Sequence, residues 1–506
     1  MNEALPTYLA RLARDGAHEQ AVIAAAEALA ADPWRTIQVA GLLARCGVVV
    51  ADRDLGLTAS LRVVRAGSRA SIATVEAGAP YPTLQHAGRT ERGAYDTPKD
   101  MARRVVASAV ASVEGTLRSG LDPACGTGTF LLAMHEAGVQ EIYGSDVDDL
   151  ALQIAAIAVP RAKLAHADAL GDGPKHDLVV GNPPFVRPEH QDKALRLELR
   201  RRFPWLAGRF DLVVPFASVA VDRARSGGAV GLVLPAPMMI QPYAAALRRS
   251  WVLRHQIVEL SGPYAFPGAA VNVVRLVMRV DRGPAPLPAF GIAPEELLRL
   301  DNAPLNPDLK PGDVALVERI RALSVPLGDL CLVDTGVVSH LPGGSRERLL
   351  FDEPGPGRVK YADAKDLFAG RHRYLDYQPE QMHRAKSPAM FEVPKIVVQR
   401  LRGDGVVRAL LDTSGIYVGH TCTVVVPRPE VATVHLDRLL DLIRSPLVNG
   451  VIRIERGDRL DLYPRDVASF PVPTRWFADP SATLEDAWAL DPRDVEDLLR
   501  FSRAAT

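Results

Sequence analysis

Leu121-Asp122-Pro123-Ala124-Cys125-Gly126-Thr127-Gly128-Thr129-Phe130 joins a short apolar strand pattern to a helical one running from Leu131 to Ala137. A strand that turns through glycines into a helix is the first half of a βαβ unit, and what flanks it decides whether a parallel sheet follows. Beside Gly120 to Pro123, strand patterns recur at Glu141 to Ser145, Ala162 to Ala165, Leu178 to Gly181, Ala229 to Leu234, Arg254 to Leu260 and Val271 to Met278, with helical patterns between them. This alternation predicts an α/β fold with a doubly wound, Rossmann-like sheet over 87–283.

Upstream, the chain is alanine-rich, with apolar residues at helical spacing from Leu5 to Leu29, a stop at Pro33 and a second helical pattern from Ile37. That predicts an N-terminal helical segment over 1–86. Ala87 to Gly93 is polar and glycine-bearing, and proline clusters from Pro284 to Pro311 mark a second linker. Residues 284–506 mix short strand patterns with few long helices, a mixed α+β domain, and no repeat period occurs.

A chain of 506 residues with 47% apolar residues has material for two or three domains with sizeable cores. No apolar run reaches the roughly 18 residues that a membrane span needs, and the start lacks the basic and apolar parts of a signal peptide. A cytoplasmic location is expected. Cys46, Cys125, Cys331 and Cys422 are scattered, with no zinc spacing, so no metal is expected. Basic and acidic residues number 60 each, so any nucleic-acid surface must be local. Two basic stretches stand out. One holds Lys193, Arg196, Arg200, Arg201 and Arg202; the other, from Arg358 to Arg402, includes Arg371, Arg373, Lys395 and Arg400. Either is equally readable as a solvated face.

In a parallel sheet, ligands bind at the carboxyl ends of the strands, where Gly126 and Gly128 let the backbone approach closely. The spacing is not Gly-x-Gly-x-x-Gly, and Asp122 at the strand end would repel a pyrophosphate. An acid there suits a cationic ligand, such as the amino and sulfonium groups of S-adenosylmethionine. The next strand ends in Ser145-Asp146-Val147-Asp148, where a carboxylate can accept from two ribose hydroxyls. The third runs into His166-Ala167-Asp168-Ala169-Leu170, with Asp168 a candidate acceptor for an adenine amino group. Each acid alone could be a cap or a turn.

The fourth strand ends in Gly181-Asn182-Pro183-Pro184-Phe185. Prolines fix φ, remove N–H donors and keep the preceding residue extended, so the carbonyl directions of this segment are largely preset. The Asn182 carboxamide oxygen and the Pro183 carbonyl form a pair of acceptors able to hold both hydrogens of a conjugated amino group as charge develops on it. Phe185 offers a stacking face. The same tetrapeptide also reads as a turn after a buried strand.

Taken together, these motifs resemble the class I S-adenosylmethionine-dependent methyltransferases, and specifically the γ-type adenine-N6 DNA methyltransferases of type II restriction–modification systems. The resemblance is close over roughly 90 to 280. Ala94-Tyr95-Asp96-Thr97-Pro98-Lys99 resembles the family's Tyr-x-Thr-Pro element, which precedes the glycine loop in the γ order and contacts the cofactor; Thr97-Pro98 also reads as a helix start. Gly208-Arg209-Phe210-Asp211-Leu212 and Ala229 to Pro235 resemble middle motifs. Tyr264-Ala265-Phe266-Pro267-Gly268 resembles the element supplying a second stacking aromatic. The resemblance implies a catalytic segment Asn182, Pro183, Pro184 and Phe185, and a base held between Phe185 and Phe266. It implies a cofactor site of Tyr95, Thr97, Pro98, Asp122, Ala124, Gly126, Gly128, Asp146, Val147, Asp168, Ala169 and Asn182. Pro394 to Arg400, Ala409 to Tyr417, Leu460 to Pro464 and Phe470 to Pro473 resemble the layout of the family's C-terminal target-recognition domains, with Arg196, Arg200, Arg371, Arg373, Lys395 and Arg400 as expected contacts to double-stranded DNA. The implied activity is methylation of a flipped adenine, with any cognate restriction endonuclease carried on a separate chain. Rival readings are an amino methyltransferase of ribosomal RNA guanine or protein glutamine, a cytosine-N4 enzyme, and a catalytically silent DNA-binding subunit.

Overall fold

The computed structural model describes Val48–Val50, Val63–Arg65 and residues 97–501, apart from 149–150, 153–154, 157–158, 160, 207, 267–270, 288–290, 340–347, 401–405, 430–434 and 458–460. Tyr95 and both expected N-terminal helical runs, from Leu5 and from Ile37, fall largely outside the described residues. Within the segment expected to be helical, Val48–Val50 and Val63–Arg65 are instead paired antiparallel strands. The reason is local: both are valine triplets or near-triplets, and β-branched side chains favour the extended chain.

The chain divides into two compact units, Met1–Leu298 and Arg299–Thr506. The division falls inside the proline-rich stretch, downstream of the boundary expected at 283/284.

Among the described residues, the main sheet of the first unit has seven strands: β1 Ser119–Asp122, β2 Glu141–Asp146, β3 Lys163–His166, β4 His176–Gly181, β5 Ala224–Pro235, β6 Gln256–Tyr264 and β7 Val273–Arg279. Their order is β3-β2-β1-β4-β5-β7-β6. All neighbours are parallel except β7, which runs antiparallel to both β5 and β6. Strands β1 and β4 are buried along their whole length, as central parallel strands covered on both faces must be. At the edge, β3 leaves Lys163, Ala165 and His166 exposed.

Helix α1 (Lys99–Ser112) starts after Pro98, whose carbonyl accepts from the Met101 and Ala102 amides. Ala102, Val105, Val106 and Ala109 repeat at helical spacing and are buried, forming the apolar stripe that seats α1 on the sheet. Helix α2 (Thr129–Glu136) follows β1, and α4 (Val213–Asp222) precedes β5, after the basic helix α3 (Lys193–Arg202). Strand order leads from β1 to β2 in one direction and from β4 to β5 in the other. Right-handed crossovers therefore put α2 and α4 on opposite faces, and the reversal opens a crevice between the ends of β1 and β4. This is a methyltransferase-like α/β fold with a mostly parallel sheet.

Among its described residues, the second unit has two four-stranded sheets. One contains β9 (Cys331–Thr335), β16 (Cys422–Pro427), β13 (Lys395–Gln399) and β14 (Ala409–Asp412) in that order, all antiparallel. The other contains β10 (Leu350–Phe351), β12 (Arg373–Asp376), β11 (Arg358–Ala362) and β15 (Tyr417–Val418). Leu350, Tyr361, Leu375, Val397, Val418 and Val424 from both sheets share one apolar core. A short pair, β8 (Ser324–Pro326) with β17 (Pro471–Pro473), stands beside the helices Asp313–Ala322 and Leu327–Leu330. Among the described residues no helix is long and apolar enough to cross a membrane.

Candidate active site

Four strand ends meet at one edge of the sheet because β1 to β4 run parallel. Asp122 closes β1 and is 2% exposed. Its Oδ1 accepts from the Ala124 amide at 3.1 Å, which folds the glycine loop back over the strand end. The end of β4 approaches so closely that a Cβ on Gly181 would lie 2.8 Å from Asp122 Oδ1. Burial pushes the Asp122 carboxyl up to about 8; the Ala124 amide opposes this and neighbouring Asp146 adds to it. Asp122 is thus a covered acid beneath the loop that keeps its proton at neutral pH.

The loop is tied to β2 in several places. The Cys125 amide donates to Ser145 O at 2.9 Å, and Ser145 Oγ donates to Pro123 O at 3.0 Å. Asp146 Oδ2 accepts from the Gly126 amide at 2.8 Å, and its Oδ1 from the Asp148 amide at 2.9 Å. A carboxylate has about four lone-pair sites, so these two bonds orient Asp146 and leave it able to accept hydroxyl hydrogens. Gly128, at φ 96°, caps α2 in the left-handed region, and a Cβ there would lie 3.2 Å from Ala155 Cβ. Only glycine satisfies both demands. The Cys125 thiol is 5% exposed, and burial beside Asp122 and Asp146 raises its pKa, which removes it as a nucleophile at neutral pH.

Val147, beyond Asp146, is 65% exposed, an apolar side chain presented at the strand edge. Its carbonyl is 2.9 Å from His166 Nε2, and the Ala167 amide donates to Asp146 O, so the ends of β2 and β3 are tied together. Asp168 is exposed; its Oδ1 accepts from the Leu170 amide at 2.9 Å in a local turn, while Ala169 is buried. Thr97 is buried and Pro98 caps α1. These groups fit S-adenosylmethionine chemically: a glycine cradle for close backbone approach, two outward acids for hydroxyl and amino hydrogens, an apolar edge for a flat ring and a buried acid for cationic groups.

Asn182 to Arg187 carry no helix or strand. The Asn182 carboxamide oxygen is buried. Phe185 and Phe266 are 7% and 4% exposed, their ring centroids 6.5 Å apart and their planes tilted by 58°. That separation and tilt are those of an aromatic pair in direct contact, so a base between them requires the rings to move apart. Beside this segment, the loop after β5 is held by Arg248, which is fully buried and donates from Nη1 to Met238 O at 2.6 Å and Gln241 O at 2.9 Å. Arg248, on the helix Ala245–Arg254, belongs to no motif and gave no sequence signal.

The expected DNA contacts divide. Arg200 is exposed and donates to Gly208 O at 2.5 Å, while Arg196 is half-buried on the same helix. Arg371 pairs with Asp366 at 2.8 Å and Arg373 with Asp352 at 2.9 Å. Arg400 donates to His420 O and lies over the Tyr463 ring. Lys395 is a correction. It is 0% exposed on the central strand β13, where its ammonium bonds to Asp412 and to Phe391 O. A lysine enclosed with its counter-ion cannot reach a phosphate. Its place in a run of basic residues hid that the strand is buried continuously from Lys395 to Val398.

Similarity to known proteins agrees with this geometry. The Type II methyltransferase M.BanIII of Aneurinibacillus aneurinilyticus is 27% identical over 220 residues, 36% of this chain and 38% of that protein. The adenine-specific methyltransferase PglX of Streptomyces coelicolor is 30% identical over 159 residues, 29% of this chain and 13% of that protein. The chain thus matches well under half the length of these relatives. The structure of the Type IIL restriction-modification enzyme MmeI in complex with DNA superposes with a TM-score of 0.50 at 12% identity, over 80% of this chain and 71% of that one, a likeness of fold. Residues 158–261, which contain β4 and the Asn182-to-Phe185 segment, match the Eco57I restriction-modification methylase family.

Proposed function

We propose that this chain transfers a methyl group from S-adenosylmethionine to the N6 amino group of an adenine flipped out of double-stranded DNA, as the modification enzyme of a restriction–modification system. The observation that carries the reading is the position of Asn182-Pro183 at the end of β4, on the edge where Asp122, Asp146 and Asp168 end or follow their own strands. The methylase-family match spans that same segment.

An exocyclic amino group is a weak nucleophile because its lone pair is delocalised into the ring. Asn182 Oδ1 and the Pro183 carbonyl hold its two hydrogens, and their fixed dipoles stabilise the positive charge that grows on nitrogen. Phe185 and Phe266 stack on the extruded base; such contacts are worth about 1–3 kcal/mol per base, enough to offset the few kcal/mol lost on unstacking. Asp146 and Asp168 hold hydroxyl and amino hydrogens of the cofactor, and the Gly126–Gly128 turn admits it. When bound, the cofactor supplies an electrophilic methyl group on a sulfonium centre. The amine releases its proton to solvent. The second unit, with Arg371, Arg373 and Arg400, reads the target sequence.

Labelled methyl transfer from S-adenosylmethionine to DNA, RNA and protein, run in parallel and followed by nucleoside analysis, tests the reading. N6-methyladenine in DNA is expected. Label only in guanine, cytosine or glutamine would replace the substrate, and none at all would leave a silent binding subunit. A parallel incubation of the protein with DNA and magnesium tests the companion proposal that the cognate endonuclease is a separate protein; cutting would refute it.

A further inference from the structure

Val186 follows directly on Asn182-Pro183-Pro184-Phe185, and its carbonyl is held by two donors. Its carbonyl accepts from Gln191 Nε2 at 2.8 Å and from the Leu212 amide at 3.1 Å. Gln191 Nε2 spends its other hydrogen on Phe210 O at 2.9 Å, so the amide bridges the motif segment to the 208–212 stretch. Two carbonyls around one end of the side chain fix which end is nitrogen. Gln191 is 7% exposed, so these bonds form away from competing water. Asp211, between Phe210 and Leu212, accepts from the Val213 amide at 3.1 Å, which fixes the turn that presents the Leu212 amide to the Val186 carbonyl.

The value of this clamp follows from the two prolines. Pro183 and Pro184 have no N–H, and residues 182–187 have no ladder or helical bonds to orient them. The segment is stiff, so its course is set by what holds its two ends. Strand β4 fixes the upstream end, pairing Gly181 with Leu232 of β5. Val186, the first residue past the prolines and Phe185, has its carbonyl held by two donors.

We propose that Gln191 and Asp211 are positioning residues that fix the downstream end of this segment, so that the Asn182 carboxamide and the Pro183 carbonyl keep the directions needed to hold an amino group. This rests on the role proposed for Asn182 and Pro183. Neither Gln191 nor Asp211 touches the base; both act through Val186.

The test compares Gln191→Met, similar in size but unable to bridge, with Asp211→Ala and the conservative Asp211→Asn, which keeps an acceptor oxygen. Two readouts are needed: amide hydrogen exchange over residues 182–190 in the full chain, and steady-state methylation of adenine-containing duplex DNA with S-adenosylmethionine. In Gln191→Met and Asp211→Ala, exchange in this segment is expected to quicken about tenfold, the effect of one lost hydrogen bond, while β1 and β4 keep their protection. The turnover number kcat is expected to fall about tenfold or more with KM for DNA and cofactor affinity nearly unchanged, and Asp211→Asn to recover most of the loss. Unchanged exchange overturns the clamp. So does faster exchange with kcat intact, or a loss that spreads to KM and the sheet. If the wild-type chain methylates no adenine, the proposed function fails, and the exchange readout still decides whether the clamp exists.

Discussion

Removing the Asn182 carboxamide deletes one of the two acceptors and nothing from the glycine loop. Asn182→Ala is therefore expected to lower kcat by about 10²–10³, the scale for losing one preorganised polar partner, while S-adenosylmethionine still binds with near wild-type affinity in a calorimeter. A variant keeping most of its turnover would sink the acceptor role. Asp122 carries a different expectation, in pH. Its folded-state value of about 8 lies above the unfolded value near 3.9. The folded protein thus holds the extra proton between these values. The group's contribution to stability is complete below about pH 4 and is lost as pH rises through about 8. Wild type should lose melting temperature from pH 6 to pH 9 relative to Asp122→Asn, which has no such proton; parallel curves would contradict the burial argument. Asp122, Asp146, Asp168 and Asn182 were legible because each stands at or just after a strand pattern. Gln191 was not, because an amide in a polar stretch has no period, and its bridge appears only when Val186 and Phe210 are folded together.

At the scale of elements, the buried pair in the second unit makes the sharpest demand. Lys395 on β13 and Asp412 on β14 are enclosed together, and Asp412 also accepts from the Ser414 and Ile416 amides. Lys395→Met leaves that carboxylate buried without its cation, an effect of about 3–5 kcal/mol. Urea unfolding should show the midpoint of the second unit falling while that of the first holds; an unchanged profile would mean that the pair is not enclosed in solution. The strands of the first sheet could be read in advance within a few residues, because β4 and β5 carry apolar runs beside glycine and proline punctuation and β1 leads directly into the glycine loop. Strand β5 begins five residues earlier than the pattern suggested, since Arg225-Ser226-Gly227-Gly228 reads as a turn yet is carried within the strand as a bulge, with Gly227 at φ 75°. The reversed direction of β7 was not legible at all. Period-two alternation is blind to strand direction, which comes from a short connection after β6 rather than from a crossover helix. In the second unit the strands are two to six residues long, too short for alternation to set register or to show that Lys395 points inward.

For the whole molecule, equal numbers of acidic and basic residues mean that no net field draws a polyanion in. Affinity for DNA then depends on local phosphate contacts, each releasing a counter-ion. On a plot of log K against log salt the slope is about −0.9 per contact, so the slope counts contacts where affinity alone does not. Arg196→Ala and Arg371→Ala remove candidate contacts from α3 and from the second unit, and each should make the slope shallower by about 0.9. Arg371 must first leave Asp366, which it bonds at 2.8 Å; an exposed ion pair is worth at most about 1 kcal/mol, so a phosphate can displace it. Lys395→Met, measured below its unfolding temperature, should leave the slope untouched because the ammonium never meets solvent. Fluorescence anisotropy of a labelled duplex at several salt concentrations gives all three slopes. If neither arginine variant changes the slope, the DNA surface lies elsewhere on the chain; if Lys395→Met changes it as an arginine does, β13 opens on binding and the enclosed pair is part of recognition.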